Sequence, residues 1–178
     1  MAFANPKRNI EQFMLAEGME VADFGAGAGY LAVEAAEVIG KKGKVFVIDI
    51  QQELLTKSIH YAQEHHLESI VFIHGDLEKE GGSTLPDQSV DAVIISNLLF
   101  QVGDKSAVLH EAHRILKDSG KVLVVDWCES FGGMGPQTDH VFPEAELRTC
   151  AEGEDFTYVS SIDAGAYHYG LIFRKHGK

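Results

Sequence analysis

The sequence is poor in cysteine, in basic residues and in long apolar runs. Its two cysteines, Cys128 and Cys150, make no disulfide framework and lack the spacing of metal ligands. The 178 residues include 15 basic and 27 acidic ones, and an acidic surface repels phosphate backbones, so we expect no nucleic-acid partner. No segment reaches the roughly 20 apolar residues of a membrane span, and the N-terminus has no signal-like region. The sequence therefore predicts a soluble, cytoplasmic protein.

Apolar runs alternate with helical patterns along the chain. This alternation predicts an α/β fold in which helices cover both faces of a largely parallel sheet. The expected strands are 19–24, 44–50, 69–75, 90–96, 119–127, 156–164 and 168–175, and the expected helices are 30–39, 52–66, 104–117 and 143–152. Helix 30–39 should bury Leu31, Ala35 and Val38 on one stripe. Only residues 165–167 separate the last two strands, so these form a hairpin and the last strand is antiparallel.

The stretch VADFGAGAGYLA places three glycines at alternate positions between a predicted strand and a predicted helix. Gly25, Gly27 and Gly29 do not match the dinucleotide fingerprint G-x-G-x-x-G, because its third glycine would fall at Tyr30. The absence of G-K-[ST] also excludes a P-loop. The pattern is D-x-G-x-G-x-G, with Asp23 at its head. An acid beside the turn disfavours a phosphate and suits a ligand that carries positive charge.

Two further acids follow the next strands. The helix N-terminus after the glycine turn offers N–H groups to a carboxylate, so a ligand with an amino-acid end and a nucleoside end, such as S-adenosylmethionine, suits this turn. Asp49 ends the second strand, where an acid accepts hydrogen bonds from ribose hydroxyls. Asp76 follows the third strand, where it could accept from the adenine amino group while Leu77 packs on the ring. Together these positions predict a nucleoside site at the carboxyl edge of the sheet.

Each of these residues has a plainer alternative. The glycine turn alone is weak evidence, Asp49 could cap the following helix, and Asp76 could begin a polar turn. The histidines raise a metal site as another alternative, since His110 and His113 lie three residues apart. No cysteine or carboxylate constellation completes such a site, so we expect no metal.

The sequence resembles the class I S-adenosylmethionine-dependent methyltransferases, and within them the small-molecule branch that includes the ubiquinone/menaquinone biosynthesis methyltransferases. VADFGAGAGY is similar to the family's first motif, and VFVIDI followed by QELL to its second. LPDQSVDAVIISNLL and HEAHRILKDSGKVLV follow its later blocks, so that the resemblance covers residues 18–127. It implies a Rossmann-like seven-stranded sheet of order 3-2-1-4-5-7-6, with strand 7 antiparallel and helices on both faces.

The resemblance implies S-adenosylmethionine as the cofactor and transfer of its methyl group to a small-molecule acceptor by in-line displacement. The expected cofactor-binding residues are Asp23, Gly25, Ala26, Gly27, Gly29, Tyr30, Asp49, Ile50, Gly75, Asp76, Leu77 and Asn97. A non-catalytic protein that binds S-adenosylmethionine or S-adenosylhomocysteine would carry the same residues and is the alternative. A nicotinamide oxidoreductase is disfavoured by the tyrosine in the glycine turn.

The acceptor side is less defined by the sequence. SNLLFQ after the fourth strand differs from the N-P-P-[YF] pattern of enzymes that methylate amino groups of bases or glutamine, which disfavours those substrates. The candidates there are Asn97, Gln101, Trp127 and the turn 167–168. Of these, we expect His168 to be a solvated turn residue and Trp127 to be a core residue.

We expect one domain over residues 1–178. Within it, residues 1–17 should form a helical lid segment, with Phe3 and Tyr30 near the mouth of the cofactor site. Residues 128–178 should form the part that faces the substrate. The sequence identifies neither a catalytic base nor an oligomeric state.

Overall fold

The computed structural model describes residues 4–177, and their strands form one seven-stranded sheet. The strands are β1 Glu20–Phe24, β2 Lys44–Asp49, β3 Ile70–His74, β4 Val90–Ser96, β5 Leu116–Trp127, β6 Phe156–Ile162 and β7 His168–Lys175. Their order is β3-β2-β1-β4-β5-β7-β6, and β7 runs antiparallel to both of its neighbours. The predicted strand order and the antiparallel last strand are confirmed.

Five α-helices of the described chain cover the two faces of the sheet. They are α1 Pro6–Phe13, α2 Tyr30–Ile39, α3 Gln52–Glu64, α4 Lys105–Ile115 and α5 Glu144–Gly153. Helices α1, α2 and α3 bury apolar side chains against one face, and α4 and α5 against the other. Asp104 caps α4, because its carboxylate accepts a hydrogen bond from the N–H of Ala107 at 2.9 Å.

Two details differ from the sequence interpretation. Of the predicted stripe on α2, Ala35 is buried and Leu31 packs half-buried against the core, but Val38 is 42% exposed. The buried side chains of α2 are Ala32, Val33, Ala35, Ala36 and Ile39. Strand β5 begins at Leu116 rather than at residue 119, because Leu116 pairs with Val90 before a register shift. In both cases packing against neighbouring elements, rather than the local pattern, decides the outcome: which side chains α2 buries and where β5 begins.

Helix α1 is part of the core. Ile10 and Phe13 are buried, and the Nζ atom of Lys121 donates hydrogen bonds to the carbonyls of Phe13 and Met14 at 2.6 and 2.8 Å. The helical part of the expected N-terminal segment is therefore observed. Phe3 lies outside the described residues, and the lid role of residues 1–17 stays a prediction.

The register of the parallel strands brings their carboxyl ends to one edge. Phe24 of β1 pairs with Ile48 of β2 and with Ile95 of β4, and Asp49 pairs with His74 of β3. Residues that follow these strands therefore lie side by side although they are far apart in sequence. Within residues 4–177, no helix is both long and apolar enough to cross a membrane.

Candidate functional site

A crevice of about 360 Å³ lies at the carboxyl edge of the sheet, where β1 to β4 end. Most of the expected cofactor-binding residues line it, namely Gly25, Gly27, Asp49, Ile50, Gly75, Asp76, Leu77 and Asn97. The volume falls in the range of small-molecule sites. The structure thus brings together residues from four strand ends at the place that the sequence predicts.

Asp49 holds the glycine turn in place. One carboxylate oxygen accepts from the N–H of Gly27 at 3.1 Å and the other from the N–H of Gln51 at 2.8 Å. The N-cap position of α3 is Gln51 and no side chain caps this helix, so Asp49 is not its cap. Each carboxylate oxygen can accept a second hydrogen bond, which leaves capacity for ligand hydroxyls in the crevice.

Two glycines of the turn have different uses. Gly27 has φ of 56°, and a Cβ atom added there would meet nothing within 4 Å, so the backbone is bare towards the crevice. Gly29 has φ of 84°, and a Cβ atom there would collide with the side chain of Ser58. Gly27 therefore leaves room for a ligand, whereas Gly29 allows α2 to begin close against α3.

Asp23 is a buried acid beneath this turn. It is 1% exposed, and neither carboxylate oxygen makes a hydrogen bond within residues 4–177. Burial raises its pKa to about 8, the negative charge of Asp49 adds to the rise, and the nearby N–H of Ala32 offsets part of it. An uncompensated acid at this position favours a ligand that brings positive charge to the turn.

Asp76 begins a polar turn and also lines the crevice. Its carboxylate accepts from the N–H of Glu78 at 3.2 Å and forms an ion pair with Lys79 at 3.0 Å, so it does begin a polar turn. The hydrogen bond from Lys79 and that from the Glu78 backbone lower its pKa. Asp76 also lines the crevice, where its ionised carboxylate can still accept from an amino group.

Asn97 presents an unpaired acceptor. Its backbone is left-handed, with φ of 53°, and its N–H donates to the carbonyl of Val125 at 2.8 Å. The side-chain oxygen Oδ1 is buried and has no hydrogen-bond partner in the described chain. Because a buried acceptor without a partner is costly, this oxygen is suited to a polar ligand group in the crevice.

Four of the expected residues do not line the crevice: Asp23, Ala26, Gly29 and Tyr30. Ala26 packs against the core on the face of α1 to α3. Tyr30 begins α2, is 54% exposed and meets the ring of Tyr61 edge-on, with centroids 4.9 Å apart. Cofactor contacts by these residues stay predictions.

The crevice also contains residues outside the expected cofactor set, and these are Gln51, Leu54, Glu78, Ser96, Leu98, Gln101 and Val102. Ser96 and Leu98 flank Asn97 at the end of the fourth strand. This position in the sequence could have predicted that they line the crevice. Leu54 of α3 is half-buried and borders the crevice.

The structure corrects the expectation for His168. This residue is not in a solvated turn; it begins β7, pairs with Trp127 and is only 8% exposed. The hairpin loop is two residues longer than expected, because β6 stops at Ile162 rather than at residue 164. Trp127 is half-buried rather than fully in the core.

A family model described as a methyltransferase domain matches residues 15–160, which is most of the chain. The chain belongs to this methyltransferase domain family. The resemblance drawn from the sequence motifs is thereby confirmed.

The methyltransferase domain is similar to two kinds of curated enzyme. Arsenite methyltransferase of Homo sapiens is 33% identical over 116 residues, which are 62% of this chain and 31% of that enzyme. The ubiquinone/menaquinone biosynthesis C-methyltransferase UbiE of Hahella chejuensis is 29% identical over 119 residues, 66% of this chain and 47% of that enzyme. The chain spans less than half the length of these relatives.

The fold is shared over almost the whole chain with a solved structure. A crystal structure of a SAM dependent methyltransferase from Aquifex aeolicus matches with a TM-score of 0.87 and 25% identity, covering 97% of this chain and 90% of that one. Membership of the family and this structural likeness imply S-adenosylmethionine as the cofactor.

The residues present fit that cofactor. Gly27 with its bare backbone, Asp49 with its spare acceptor capacity and Asn97 with its unpaired oxygen all line one crevice. The acid of Asp23 below the turn suits the positive end of the same molecule. Within residues 4–177 no group of three or more His, Cys, Asp or Glu side chains is placed to hold a metal ion.

Proposed function

We propose that this methyltransferase domain binds S-adenosylmethionine in the crevice and transfers its methyl group to a small-molecule acceptor. The observation that carries the proposal is the junction between Asp49 and the glycine turn, where one carboxylate both fixes the N–H of Gly27 and borders the crevice. A phosphate-bearing dinucleotide would meet negative charge here, whereas a nucleoside with an amino-acid tail would meet complementary groups.

The lining residues suggest how the cofactor would be held. Asp49 would accept hydrogen bonds from the ribose hydroxyls, and Asp76 would accept from the adenine amino group. Leu77 and Ile50 would pack against the base, and Ile50 is 56% exposed beside the crevice, where an apolar ligand would cover it. Asn97 Oδ1 and the backbone of the glycine turn would meet the amino-acid end.

When bound, this cofactor supplies a methyl group that its sulfonium charge activates. The chain has to align an acceptor with that group and to exclude water. Strong stabilisation of the sulfonium charge in the ground state would slow the reaction, because the charge disappears as the methyl leaves. The acidic residues that border the crevice are engaged in hydrogen bonds of their own, which limits this effect.

The acceptor is proposed only as a class. The relatives' names mention arsenite and quinone biosynthesis, so arsenite and hydroquinones are the first small molecules to test. A location in the cytoplasm, expected from the sequence, stays a prediction; Cys128 and Cys150 are free thiols in the described chain.

Calorimetry with S-adenosylhomocysteine and with NAD tests the proposal. We expect S-adenosylhomocysteine to bind and NAD not to bind. Release of S-adenosylhomocysteine from S-adenosylmethionine is then measured with arsenite and with hydroquinone. Failure to bind S-adenosylhomocysteine would overturn the proposed site, and binding without turnover of any acceptor would support the non-catalytic alternative.

A further inference from the structure

His168 is a buried histidine without a partner in the chain. Its side chain is 8% exposed, and neither ring nitrogen makes a hydrogen bond within residues 4–177. Its ring lies against the indole of Trp127, with centroids 4.2 Å apart and planes inclined at 39°. Because leaving a buried polar nitrogen unpaired costs free energy, a polar group from outside the chain that paired with this imidazole would be favoured.

Other polar groups of the same strand are paired. The hydroxyl of Tyr169 donates to the carbonyl of Phe142 at 2.8 Å, and the Nζ atom of Lys175 donates to the carbonyl of Leu116 at 2.7 Å. Strand β7 therefore satisfies its buried polar groups where it lies within the core. The exception is His168, which lies opposite the carboxyl end of β5 and has no partner for its ring nitrogens within residues 4–177.

His168 lies near the carboxyl edge of the sheet, on a strand pair that extends beyond the end of β4. Alternate residues share a sheet face, so His168 and Trp127 face the same side as Asp49 and Asp23. Strand β4 ends at Ser96, which pairs with Val125, so β5 extends beyond it and carries Trp127 above the edge. His168 lies two strands from Ser96, about 10 Å across the sheet at roughly 4.8 Å per strand.

Aromatic side chains are concentrated at this end of the hairpin. Phe131, from the glycine-rich loop after β5, stacks on Tyr167 with centroids 4.3 Å apart and planes inclined at 22°. Trp127 covers the ring of His168 itself. Aromatic faces exclude water and accept a small organic molecule, while a single polar group orients it.

We propose that His168 contacts the methyl acceptor and takes the proton from its nucleophilic atom. The inference rests on the proposed methyl transfer and narrows the acceptor to a small molecule with a hydroxyl or thiol nucleophile. The acceptor oxygen or sulfur forms a bond to the methyl carbon while the bond from that carbon to the sulfonium sulfur breaks. The electron pair of the broken bond stays on sulfur, the acceptor's proton goes to an imidazole nitrogen of His168, and water later removes it.

The charge state of the imidazole suits this role. Burial lowers the pKa of His168, so the ring is neutral near pH 7 and can accept a proton. Asp126 on β5 and Tyr169 on β7 are the nearest titratable groups within the strands, and by alternation both face the other side of the sheet. Beyond the strand ends lie Cys128, Asp163 and Tyr167, and Asp163 is paired with Arg8 at 2.8 Å. None of these groups contributes to the shift.

The test uses the full chain with His168→Gln, and His113→Gln as a matched control. His113 is a partly buried histidine on the other sheet face, beside Phe156, and burial lowers its pKa too. Circular dichroism checks that both variants fold. Calorimetry with S-adenosylhomocysteine should give affinities within about threefold of the wild type for both.

Turnover is then measured with S-adenosylmethionine and three acceptors: catechol, 2-mercaptoethanol and arsenite, whose arsenic carries no proton. We expect the wild type to methylate catechol or 2-mercaptoethanol, with a rate that falls as the pH drops through the pKa of His168. The His168→Gln variant should lose at least about 30-fold in this rate and lose that acidic limb, as expected for removal of a general base. The His113→Gln variant should keep both.

A readout without turnover accompanies the assay. In protein labelled with ¹³C at the histidine ring carbons and bound to S-adenosylhomocysteine, catechol should shift the His168 resonance and leave that of His113 unchanged.

Each outcome decides the proposal. Equal rates and pH profiles in His168→Gln, turnover of arsenite alone, or no turnover of catechol and 2-mercaptoethanol by protein that binds S-adenosylhomocysteine would overturn the role of His168 and leave cofactor binding standing. Failure of the wild type to bind S-adenosylhomocysteine would overturn the proposed function itself.

Discussion

Asp23 and Glu111 are equally buried acids, each 1% exposed, yet their surroundings differ completely. Burial raises the pKa of Asp23 to about 8, and the N–H of Ala32 offsets only part of this rise. Burial would raise that of Glu111 as well, but hydrogen bonds from Arg114 and Ser83 outweigh it and lower the pKa to about 2. The chain thus supplies hydrogen-bond donors to the buried carboxylate of Glu111 but leaves that of Asp23 unpaired.

The difference follows the position in the fold. Glu111 on α4 accepts from the side chain of Arg114 at 2.7 and 2.9 Å and from the N–H groups of Gly81 and Ser83 at 3.1 and 2.9 Å. These four residues form a brace that fastens the loop after β3 to α4. Asp23 instead lies under the glycine turn at the carboxyl edge. Paired groups mark the part that must stay rigid, and unpaired groups mark the edge where a ligand is expected.

The largest expected effect comes from breaking the brace. Glu111→Ala leaves the guanidinium of Arg114 without its buried partner, so we expect a loss of about 3–5 kcal/mol in the free energy of unfolding. Urea denaturation measures it. The exposed Glu64, which ends α3, provides the control: Glu64→Ala should change stability by less than about 0.5 kcal/mol. An equal loss of unfolding free energy in Glu111→Ala and Glu64→Ala would show that the hydrogen bonds of Glu111 contribute no special stability.

The next effect concerns the open backbone of the turn. Gly27→Val should lower the affinity for S-adenosylhomocysteine at least about 100-fold, since the side chain would enter the crevice. Gly81→Val is the matched control, because Gly81 has φ of 69°, equally open surroundings and no place in the crevice. Calorimetry on the folded variants compares them. Normal binding by Gly27→Val would contradict close approach of the ligand to this backbone.

Asp49→Ala should weaken cofactor binding by about 1–3 kcal/mol, because it removes charged acceptors and frees the N–H of Gly27. Asp49→Asn should recover part of the affinity, since the amide oxygen can still accept one of these bonds. Calorimetry with S-adenosylhomocysteine gives both values. An unchanged affinity in the alanine variant would refute the ribose role of this acid.

The smallest effect is a pH dependence. The pKa of Asp23 is about 8 in the folded chain and near the ordinary 3.8 when unfolded, so between these values the folded state binds the extra proton. Stability of the ligand-free protein therefore falls as the pH rises, by about 1 kcal/mol per unit near pH 6–7. Asp23→Asn should abolish this part of the slope. Identical slopes in urea denaturation of the two proteins would show that the acid is compensated.

Periodicity and chain length were enough to predict the sheet. The short link before β7, expected at three residues and five in the structure, requires a hairpin whatever surrounds it. The glycine turn lies between a strand and a helix in the sequence itself. The buried side chains of α2 were harder to predict, because Val38 and Ile39 are both strongly apolar. Packing of the helix against the sheet decides that Ile39 is buried and Val38 exposed. Likewise β5 starts at Leu116 because Val90 is there to pair with it.

The motif residues after β1, β2, β3 and β4 were predictable because each follows a strand, and parallel strands end at one edge. The burial and pairing of individual side chains were not. Nothing local distinguishes Asp23, which is unpaired, from Glu111, which is fully paired, and nothing in HYG marks His168 as buried. The order of strands and helices along the chain determines which segments become neighbours. Hydrogen-bond partners and the exclusion of water depend on residues from distant segments. Those residues come together only in the folded protein.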